Sequence, residues 1–402
     1  MAQLHTKKIR LAAVTAAATA ALVGGITALP AHAAPAEGTV LAAGSPTAIA
    51  GSYIVTLEKN AGFRAASAAG KDLVEEYGGT VEKTFGAALN GYTAELSAAE
   101  ARRLAADPAV ALVEQNQTVH LTDTTQSSAP WGLDRIDQSA LPLSGTYTYP
   151  DTAGSGVTAY VIDTGVRITH SQISGRASNG YDAVDGDTTA QDGNGHGTHV
   201  ATTIAGSTYG VAKKADIVAV RVLDNNGSGT TAGVIAGIDW VTANHTSPAV
   251  ANLSLGGSAS TSLDTAVSNS IASGVTYAVA AGNSGANAGS YSPARVAAAI
   301  TVGATGSTDA KASWSNYGSS LDLFAPGVSI VAGYNTSDTA TATLSGTSMA
   351  SPHVAGAAAV YLAGHTSATP AQVSTALVNG ATSGVVTSAG TGSPNKLLKL
   401  VP

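Results

Sequence analysis

The first pattern of hydrophobic and polar positions lies between residues 51 and 120 and alternates strand-like with helix-like stretches. A strand is predicted at Tyr53–Leu57, followed by a helix in which Leu73, Val74 and Tyr77 share one face. The pattern continues with a strand at Val81–Phe85, an Asn90-Gly91 turn, a helix beginning at the capping box Ser97-x-x-Glu100, and a strand at Val110–Val113. This βαββαβ order predicts a small α+β domain of ferredoxin-like type.

The second pattern begins near residue 124 and alternates continuous apolar runs with helical stretches. Such runs are expected of strands in a parallel sheet that helices cover on both faces. The predicted strands are Val157–Ile162, Ile217–Leu223, Val250–Leu255, Val275–Ala280 and Ala299–Val302. The pattern therefore predicts an α/β unit of three layers with a mainly parallel central sheet, whose ligands bind beyond the carboxyl ends of the strands.

Charge composition separates the same two stretches. Up to Asp123 there are 9 Lys+Arg and 11 Asp+Glu, of which 8 are Glu, whereas from Thr124 onward there are 10 Lys+Arg, 15 Asp and no Glu. We therefore predict a smaller unit over residues 34–123, folded over about 51–120, and a larger one over residues 124–402. About 70 residues bury too little surface for strong independent stability, which suits a detachable module that folds against something larger.

Residues 1–33 have the features of a secretory signal peptide. Lys7, Lys8 and Arg10 precede the uncharged run Leu11–Leu29, and Ala31-His32-Ala33 provides a cleavage site of small residues. The alternative is a membrane anchor, because the run is almost long enough to span a bilayer, although its glycines and many alanines weaken it. No later run of the sequence is a spanning candidate. The mature protein is expected to be secreted and soluble, without a membrane partner.

Overall composition excludes several classes of function. Hydrophobic residues make up 44% of the 402 residues and charged residues 11%, which favours a sizeable core over a disordered or coiled-coil chain. The net charge of −7 offers no basic surface for nucleic acid. Because there is no Cys, a disulfide framework, a thiolate metal site and a cysteine nucleophile are all excluded.

Three glycine-flanked polar residues are candidates for nucleophilic catalysis. Asp163 ends a predicted strand, His196 lies in Asn194-Gly195-His196-Gly197, and Ser348 opens a helix-like run through Leu362 with Pro352 in its first turn. A serine hydroxyl needs an imidazole to accept its proton, and the imidazole needs a carboxylate to fix its tautomer. These residue types therefore supply a complete serine triad.

Asn283 follows another predicted strand, and its side chain can donate to an oxyanion. The N–H groups at the start of the helix that Ser348 opens would face the same anion.

Each of these residues has an ordinary structural explanation when taken alone. An Asp after a strand commonly caps a turn or helix, a Gly-flanked His is commonly solvated, and a Ser before a helix is commonly its N-cap. A lipase or esterase would also use a serine triad, but Gly346-Thr347-Ser348-Met349-Ala350 departs from the Gly-x-Ser-x-Gly elbow. A non-catalytic binding protein on an enzyme fold is the other alternative.

The segments around Asp163, His196, Asn283 and Ser348 resemble the four signature motifs of the subtilisin-like serine peptidases, in that family's order. The segments 129–137, 209–213 and 254–257 resemble its proteinase K branch. The resemblance spans about Thr124 to Pro402, and Tyr53–His120 resembles the family's inhibitory propeptide. It implies a subtilisin-like fold and a secreted serine endopeptidase that acts through an acyl-enzyme and needs no catalytic cofactor.

The same resemblance assigns roles to residues of this chain. Ser348 would be the nucleophile, His196 the general acid/base, Asp163 its orienting partner and Asn283 the oxyanion donor. The segments implied to pair with an extended polypeptide substrate are Gly227-Ser228-Gly229 and Ser254-Leu255-Gly256, and the segment implied to line an apolar pocket for the residue before the cut is Ala280-Ala281-Gly282.

The resemblance also implies how the chain matures. The propeptide would chaperone folding, inhibit the enzyme, and be removed by self-cleavage near Asp123. The mature enzyme is expected to be a monomer with a broad preference for apolar or aromatic residues before the cut.

His199 and His353 lie near the triad residues in sequence and compete for their roles. We favour His196, because His199 comes one helical turn later and is expected to pack against the sheet. His353 is expected to be structural. The His196-Gly197-Thr198-His199 segment lacks the His-Glu-x-x-His pattern of zinc peptidases.

Structural calcium is expected because oxygen ligands cluster at two places in a secreted chain without disulfides. The first set is Asp134, Asp137 and Gln138, to which a resemblance to known calcium-binding loops adds Ser144 and Thr146, and the second is Asp182 and Asp187 with Asp185 nearby. Both resemble calcium-binding loops of the proteinase K branch. The alternative is that these Asp residues merely cap turns.

Overall fold

The computed structural model describes residues 35–45, 47–118 and 123–401. The chain divides into two compact units at residues 120 and 121, and each is described by itself. The predicted signal peptide at residues 1–33 lies outside the described residues. None of the helices that the structure describes is both long enough and apolar enough to cross a membrane.

The first unit has the predicted βαββαβ order with one additional short strand before it. Its elements are β1 Val40–Leu41, β2 Ala48–Leu57, α1 Ala68–Glu76, β3 Thr80–Phe85, β4 Gly91–Glu95, α2 Ala98–Leu104 and β5 Val110–Gln117. The strands lie in the order β1-β5-β2-β4-β3, and Tyr53, Val55 and Leu104 are buried in the core. Ser97 and Glu100 form the predicted capping box at the start of α2.

The second unit contains the remaining elements. Its helices are α3 Trp131–Ile136, α4 His196–Ala205, α5 Thr231–Asn244, α6 Thr261–Ala272, α7 Thr347–Gly364 and α8 Pro370–Gly380, with a short 3-10 helix at Ala288–Ser290. Its strands are β6 Asp123–Ser127, β7 Thr146–Pro150, β8 Thr158–Asp163, β9 Ala177–Asp182, β10 Asp216–Arg221, β11 Ala249–Leu253, β12 Gly257–Ser258, β13 Val275–Ala280, β14 Tyr291–Ser292, β15 Ile300–Thr305, β16 Leu323–Pro326, β17 Ile330–Gly333, β18 Thr341–Leu344, β19 Thr382–Ser383 and β20 Lys396–Leu397.

The predicted central sheet and its two helical layers are confirmed. The described strands of the sheet lie in the order β19-β20-β16-β15-β13-β11-β8-β10-β9, and every neighbouring pair except β19 with β20 is parallel. Successive residues of β8 pack on opposite faces: Val161 joins the core cluster that contains α4, α7 and α8, and Ile162 joins the cluster that contains α5 and α6. The sheet is therefore the middle layer of three.

Helix α7 differs from the sequence prediction at its start. It begins at Thr347 after Gly346, so Pro352 lies in its second turn rather than its first. Proline has no N–H to donate to the carbonyl four residues earlier, which belongs to Ser348. The Ser254 hydroxyl donates to that carbonyl at 2.8 Å instead. The helix tolerates the proline because a side chain from the end of β11 replaces the lost donor.

A buried ion pair fixes the position of helix α3. Arg135 is fully buried, and its Nε and Nη2 donate to the two carboxylate oxygens of Asp309 at 2.6 and 3.0 Å. Its Nη1 donates to Gln138 O at 2.8 Å. Asp309 has a φ of 63°, a region that Asp and Asn tolerate better than most residues. Loss of one member of such a pair leaves an uncompensated buried charge.

We predict that Asp309→Asn lowers the free energy of unfolding by about 3 kcal/mol, because the substitution keeps the side-chain shape but leaves the buried Arg135 charge without a negative partner. An equilibrium urea titration measures the change. Asp338→Asn is the matched control, since it removes a carboxylate from the exposed Arg167–Asp338 pair and should have a much smaller effect. Equal effects of the two substitutions would contradict the argument.

Candidate active site

The predicted triad residues each begin or end an element of the second unit. Asp163 is the last residue of β8, His196 is the first residue of α4, and Ser348 is the second residue of α7. Asn283 follows the end of β13 by three residues. The carboxyl ends of β8 and β13 lie at the same edge of the parallel sheet, which is where such folds place their ligand sites.

Asp163 and His196 form a short hydrogen bond. His196 Nδ1 lies 2.7 Å from Asp163 Oδ1, and the same oxygen accepts the Thr164 N–H at 2.7 Å. Asp163 has no solvent exposure, whereas the His196 side chain is 26% exposed. A proton held on Nδ1 by the carboxylate leaves Nε2 free to act as a base. The pair therefore has the geometry of an oriented general base.

The charge environment strengthens His196 as a base. Burial in the cleft lowers its pKa, but the Asp163 charge and hydrogen bond, together with a contribution from Asp192, outweigh burial and hold the pKa above its ordinary value. Stabilising the imidazolium in this way favours proton transfer from a nucleophile.

Ser348 and Ser254 form a reciprocal pair of hydrogen bonds. The Ser348 hydroxyl donates to Ser254 O at 3.0 Å, while the Ser254 hydroxyl donates to Ser348 O at 2.8 Å. Within the described residues, the Ser348 hydroxyl is therefore engaged by the strand end rather than by His196. Catalytic hydrogen bonds are commonly long or absent in ligand-free sites and form with substrate.

Asn252 and Ser351 belong to the same network, and the sequence analysis missed them. Asn252 is fully buried in β11, donates to Ser254 Oγ at 2.8 Å, and accepts from the Ser351 hydroxyl at 2.7 Å. Its carboxamide therefore links the sheet to the first turns of α7. The available signal was a polar residue inside the continuous apolar run Val250–Leu255, because a buried amide requires partners.

Asn283 is oriented by residues at the start of α7. Its Oδ1 accepts from both Thr347 N and Thr347 Oγ1 at 2.9 Å, which directs its NH₂ group away from them. A Cβ built on Gly346 would lie 3.5 Å from Ser348 N and 3.7 Å from Asn283 Nδ2. The two donors therefore face one small space beside Gly346, which is the arrangement of an oxyanion hole.

The predicted substrate segments line two connected depressions. A groove of about 830 Å³ is lined by His196, by Gly227, Ser228 and Gly229, and by Ser254, Leu255 and Gly256. A second pocket of about 240 Å³ is lined by Ala280, Ala281, Gly282, Asn283 and Ser348, and shares residues 255–258 with the groove. Ser348 therefore lines the pocket, and the groove next to it is lined by both predicted substrate segments.

His199 and His353 are core residues that do not line this site. His199 Nε2 lies 3.0 Å from Ile330 O of β17, and His353 Nδ1 lies 2.8 Å from Met349 O. Burial lowers the pKa of each to about 4, so both rings are neutral near pH 7.

The first predicted calcium set is compact and has one unsatisfied oxygen. Asp134 accepts from Ser144 N, Ser144 Oγ and Gly145 N, and Ser144 lies 2.8 Å from Thr146 Oγ1. Gln138 Oε1 accepts from Ser144 N at 3.1 Å. Asp137 Oδ2 accepts from Thr148 N, but its buried Oδ1 has no hydrogen-bond partner among the described residues. A buried carboxylate oxygen without a hydrogen-bond partner is a group that a hard cation would satisfy.

The second predicted calcium set does not fit a cation. Arg221 Nη1 lies 2.7 Å from Asp182 Oδ2 and 2.6 Å from Asp185 Oδ2, and Asp182 Oδ1 accepts the N–H groups of Val184 and Asp185. The exposed Asp187 caps a turn at Thr189 N. Arg221 already neutralises the Asp182 and Asp185 carboxylates, so we do not propose a cation at the second set.

Comparison with known proteins places these features in a family. The model of the subtilase family matches residues 154–397, and that of the peptidase inhibitor I9 matches residues 52–122. An extracellular serine proteinase of Thermus sp. (strain Rt41A) is 54% identical over 90% of this chain and 92% of its own length. The alkaline serine exoprotease A of Vibrio alginolyticus is 48% identical over 90% of this chain and 69% of its own length.

A solved structure agrees with these matches. The crystal structure of a cold adapted subtilisin-like serine proteinase is 54% identical and aligns with a TM-score of 0.67, covering 69% of this chain and 100% of that one.

We predict that covalent labelling of Ser348 by a fluorophosphonate accelerates with rising pH, with a midpoint above 6.5. Labelling needs neutral His196, whose pKa lies above the ordinary 6.5 because of its carboxylate neighbours, so reactivity is lost as pH falls through that raised value. The measurement is the labelling rate at a series of pH values. A midpoint at or below 6.5 in correctly folded protein would contradict the geometry.

Proposed function

Since the chain belongs to the subtilase family and is an extracellular serine endopeptidase with an inhibitor-type propeptide, we propose that Asp163, His196, Ser348 and Asn283 perform its peptide hydrolysis. The observation that carries this assignment is the 2.7 Å contact between Asp163 and His196 next to the pocket that Ser348 lines.

The proposed reaction begins when Ser348 Oγ leaves its resting hydrogen bond and attacks the scissile carbonyl carbon. His196 Nε2 takes the hydroxyl proton, and Asp163 stabilises the resulting imidazolium. Asn283 Nδ2 and the Ser348 N–H donate to the tetrahedral oxyanion. His196 then protonates the leaving amine, and water attacks the acyl-enzyme by the same steps, which regenerates the Ser348 hydroxyl.

The groove supports binding of an extended polypeptide. Residues 227–229 and 254–256 both line the groove, and we propose that a substrate strand pairs with them by β-augmentation. The described lining of the smaller pocket contains no charged side chain and includes three successive small residues, Ala280 to Gly282. We expect a broad preference for apolar or aromatic residues before the cut.

The first unit is an intramolecular inhibitor of the peptidase unit. We propose that it also acts as a folding chaperone, that self-cleavage near Asp123 releases it, and that the mature enzyme is a monomer. A domain of this size gains little stability alone, which supports a temporary role.

We predict that Ser348→Ala abolishes fluorophosphonate labelling and casein hydrolysis and leaves the propeptide attached. Removal of the nucleophile eliminates the acyl-enzyme, so the residual rate should be lower by about 10⁶-fold. Labelling, hydrolysis and N-terminal sequencing of the purified proteins measure the three effects. The preference of the pocket is tested by comparing peptide nitroanilides whose last residue is Phe or Asp. The substrate that ends in Phe should be cleaved faster.

Ser268→Ala is the matched control, because it removes an exposed hydroxyl of α6, and Ser268 lines neither the groove nor the pocket. It should retain labelling and a start near Thr124. Normal processing of Ser348→Ala without any added protease would overturn self-cleavage, whereas labelling of Ser348→Ala would overturn the assignment of the nucleophile.

We also propose that calcium binds at Asp134, Asp137, Gln138, Ser144 and Thr146 and stabilises the fold. The support is the buried, unpartnered Asp137 Oδ1. Burial raises the pKa of Asp137, as does the neighbouring Asp134 charge, which indicates a carboxylate that lacks a compensating positive charge.

We predict that Asp137→Asn lowers the thermal midpoint when calcium is present and has no destabilising effect in excess EDTA. The carboxylate is needed to bind the cation, but without the cation it is a costly buried charge. Thermal unfolding of fluorophosphonate-blocked enzyme under both conditions measures the difference. Asp185→Asn is the control. It removes a carboxylate that is paired with Arg221, so it should not change the response to EDTA. An unchanged wild-type midpoint in EDTA would exclude a stabilising calcium.

A further inference from the structure

Asp192 is a buried carboxylate that the proposed mechanism does not use. It is 3% exposed and lies in the loop that precedes α4. Its Oδ1 accepts from Thr164 Oγ1 at 2.9 Å, Asn194 N at 2.9 Å and Gly195 N at 2.8 Å, and its Oδ2 accepts from Thr198 N at 2.9 Å and Thr198 Oγ1 at 2.6 Å. Five donors converge on one carboxylate, so its position is tightly fixed.

These donors come from both segments that carry the Asp163–His196 pair. Thr164 directly follows Asp163 and donates its N–H to Asp163 Oδ1, and Gly195 directly precedes His196. Thr164 Oγ1 also accepts the Gly197 N–H at 2.9 Å. Asp192 and the Thr164 hydroxyl therefore join the end of β8 to the start of α4 on either side of the reacting pair.

Asp192 also replaces the missing side-chain cap of α4. The N-cap residue is Gly195, with a φ of 114° and no side chain that could accept the first helical N–H groups. Asp192 accepts the N–H of Thr198, the third residue of the helix, and places negative charge at its positive end. The first turn, which carries His196, is therefore held from outside the helix.

We propose that Asp192 is a positioning residue for catalysis, which fixes His196 relative to Asp163 and strengthens it as a base. The inference rests on the proposed roles of Asp163, His196 and Ser348. The five hydrogen bonds to the Asp192 carboxylate all come from residues outside the triad, so its proposed action on the reaction is indirect.

The electrostatic effect has the same direction as the positioning effect. The titratable groups whose charges act on His196, among the described residues, are the carboxylates of Asp163 and Asp192, and both raise its pKa. The third titratable neighbour is the His199 ring, which is neutral near pH 7 because burial lowers its pKa to about 4. Removing the Asp192 charge should therefore weaken His196 as a base.

The decisive experiment is Asp192→Asn in the mature enzyme. In the side chain of this variant, an NH₂ group would face the N–H and hydroxyl donors of Thr198, so the loop must shift. A displacement of about 1 Å at the base lowers the rate by about 100-fold. We expect that loss in kcat with little change in KM, together with an acid limb of kcat/KM that moves to lower pH. The pH profile separates this outcome from simple loss of stability.

Two further variants separate charge from geometry. Asp151→Asn removes a carboxylate whose charge is not among those acting on His196, and it should keep the wild-type kcat and pH profile. Thr164→Val keeps the Asp192 charge but removes the hydroxyl that joins the two segments, so kcat should fall while the acid limb stays in place.

The proposal is overturned if Asp192→Asn melts at a lower temperature but retains wild-type kcat and acid limb when folded, because Asp192 would then be structural only. If that variant is not processed, Thr164→Val decides, and a wild-type kcat there overturns the proposal equally. Failure of the proposed triad is distinguishable, because it would show as labelling and hydrolysis retained by Ser348→Ala.

Discussion

A carboxylate without solvent exposure must be compensated by hydrogen-bond donors and a nearby positive or polarisable group, and Asp163 meets that requirement through His196. Its Oδ1 accepts from His196 Nδ1 and Thr164 N, while its buried Oδ2 has no partner among the described residues. The compensation is therefore concentrated on one oxygen. The hydrogen bond from His196 to this oxygen orients the imidazole and, together with the Asp163 charge, keeps the pKa of the imidazole raised. The same contact therefore stabilises the buried carboxylate and strengthens the base.

A second polar link fixes Ser348 at the start of α7. Asn252, inside the sheet, joins Ser254 at the strand end to Ser351 on α7. Ser254 then donates to the Ser348 carbonyl that Pro352 leaves without a helical donor. Pro352 and Ser254 thus act together. Pro352 removes a helical hydrogen bond near Ser348, and the Ser254 hydroxyl donates to the freed carbonyl and joins α7 to the end of β11.

Local sequence patterns predicted the layers, the five main strands and the elements that carry Asp163, His196 and Ser348, because these depend on strand ends and hydrophobic runs. Long-range pairing was not predictable in the same way. The second calcium set lost its structural support because parallel pairing of β9 and β10 places Arg221 opposite Asp182, 39 residues away along the chain. Asp192 was passed over for a similar reason, since its role depends on Thr164 from a different strand.

The small residues of α7 let the helix pack closely in the core, which fixes the position of Ser348 at its start. Most of this helix is buried, and at Gly356 a Cβ would lie 2.6 Å from Val211 Cβ, so only glycine allows this approach to the segment after α4. Alanine and glycine let the helix lie within the core, and its amino-terminal end lies beside Ser254, directly after β11. His196 begins α4, which packs on the same face of the sheet. Both reacting side chains therefore project from the first turns of helices that dense packing immobilises, and polar links at those turns, from Asn252 and Asp192, set their final positions.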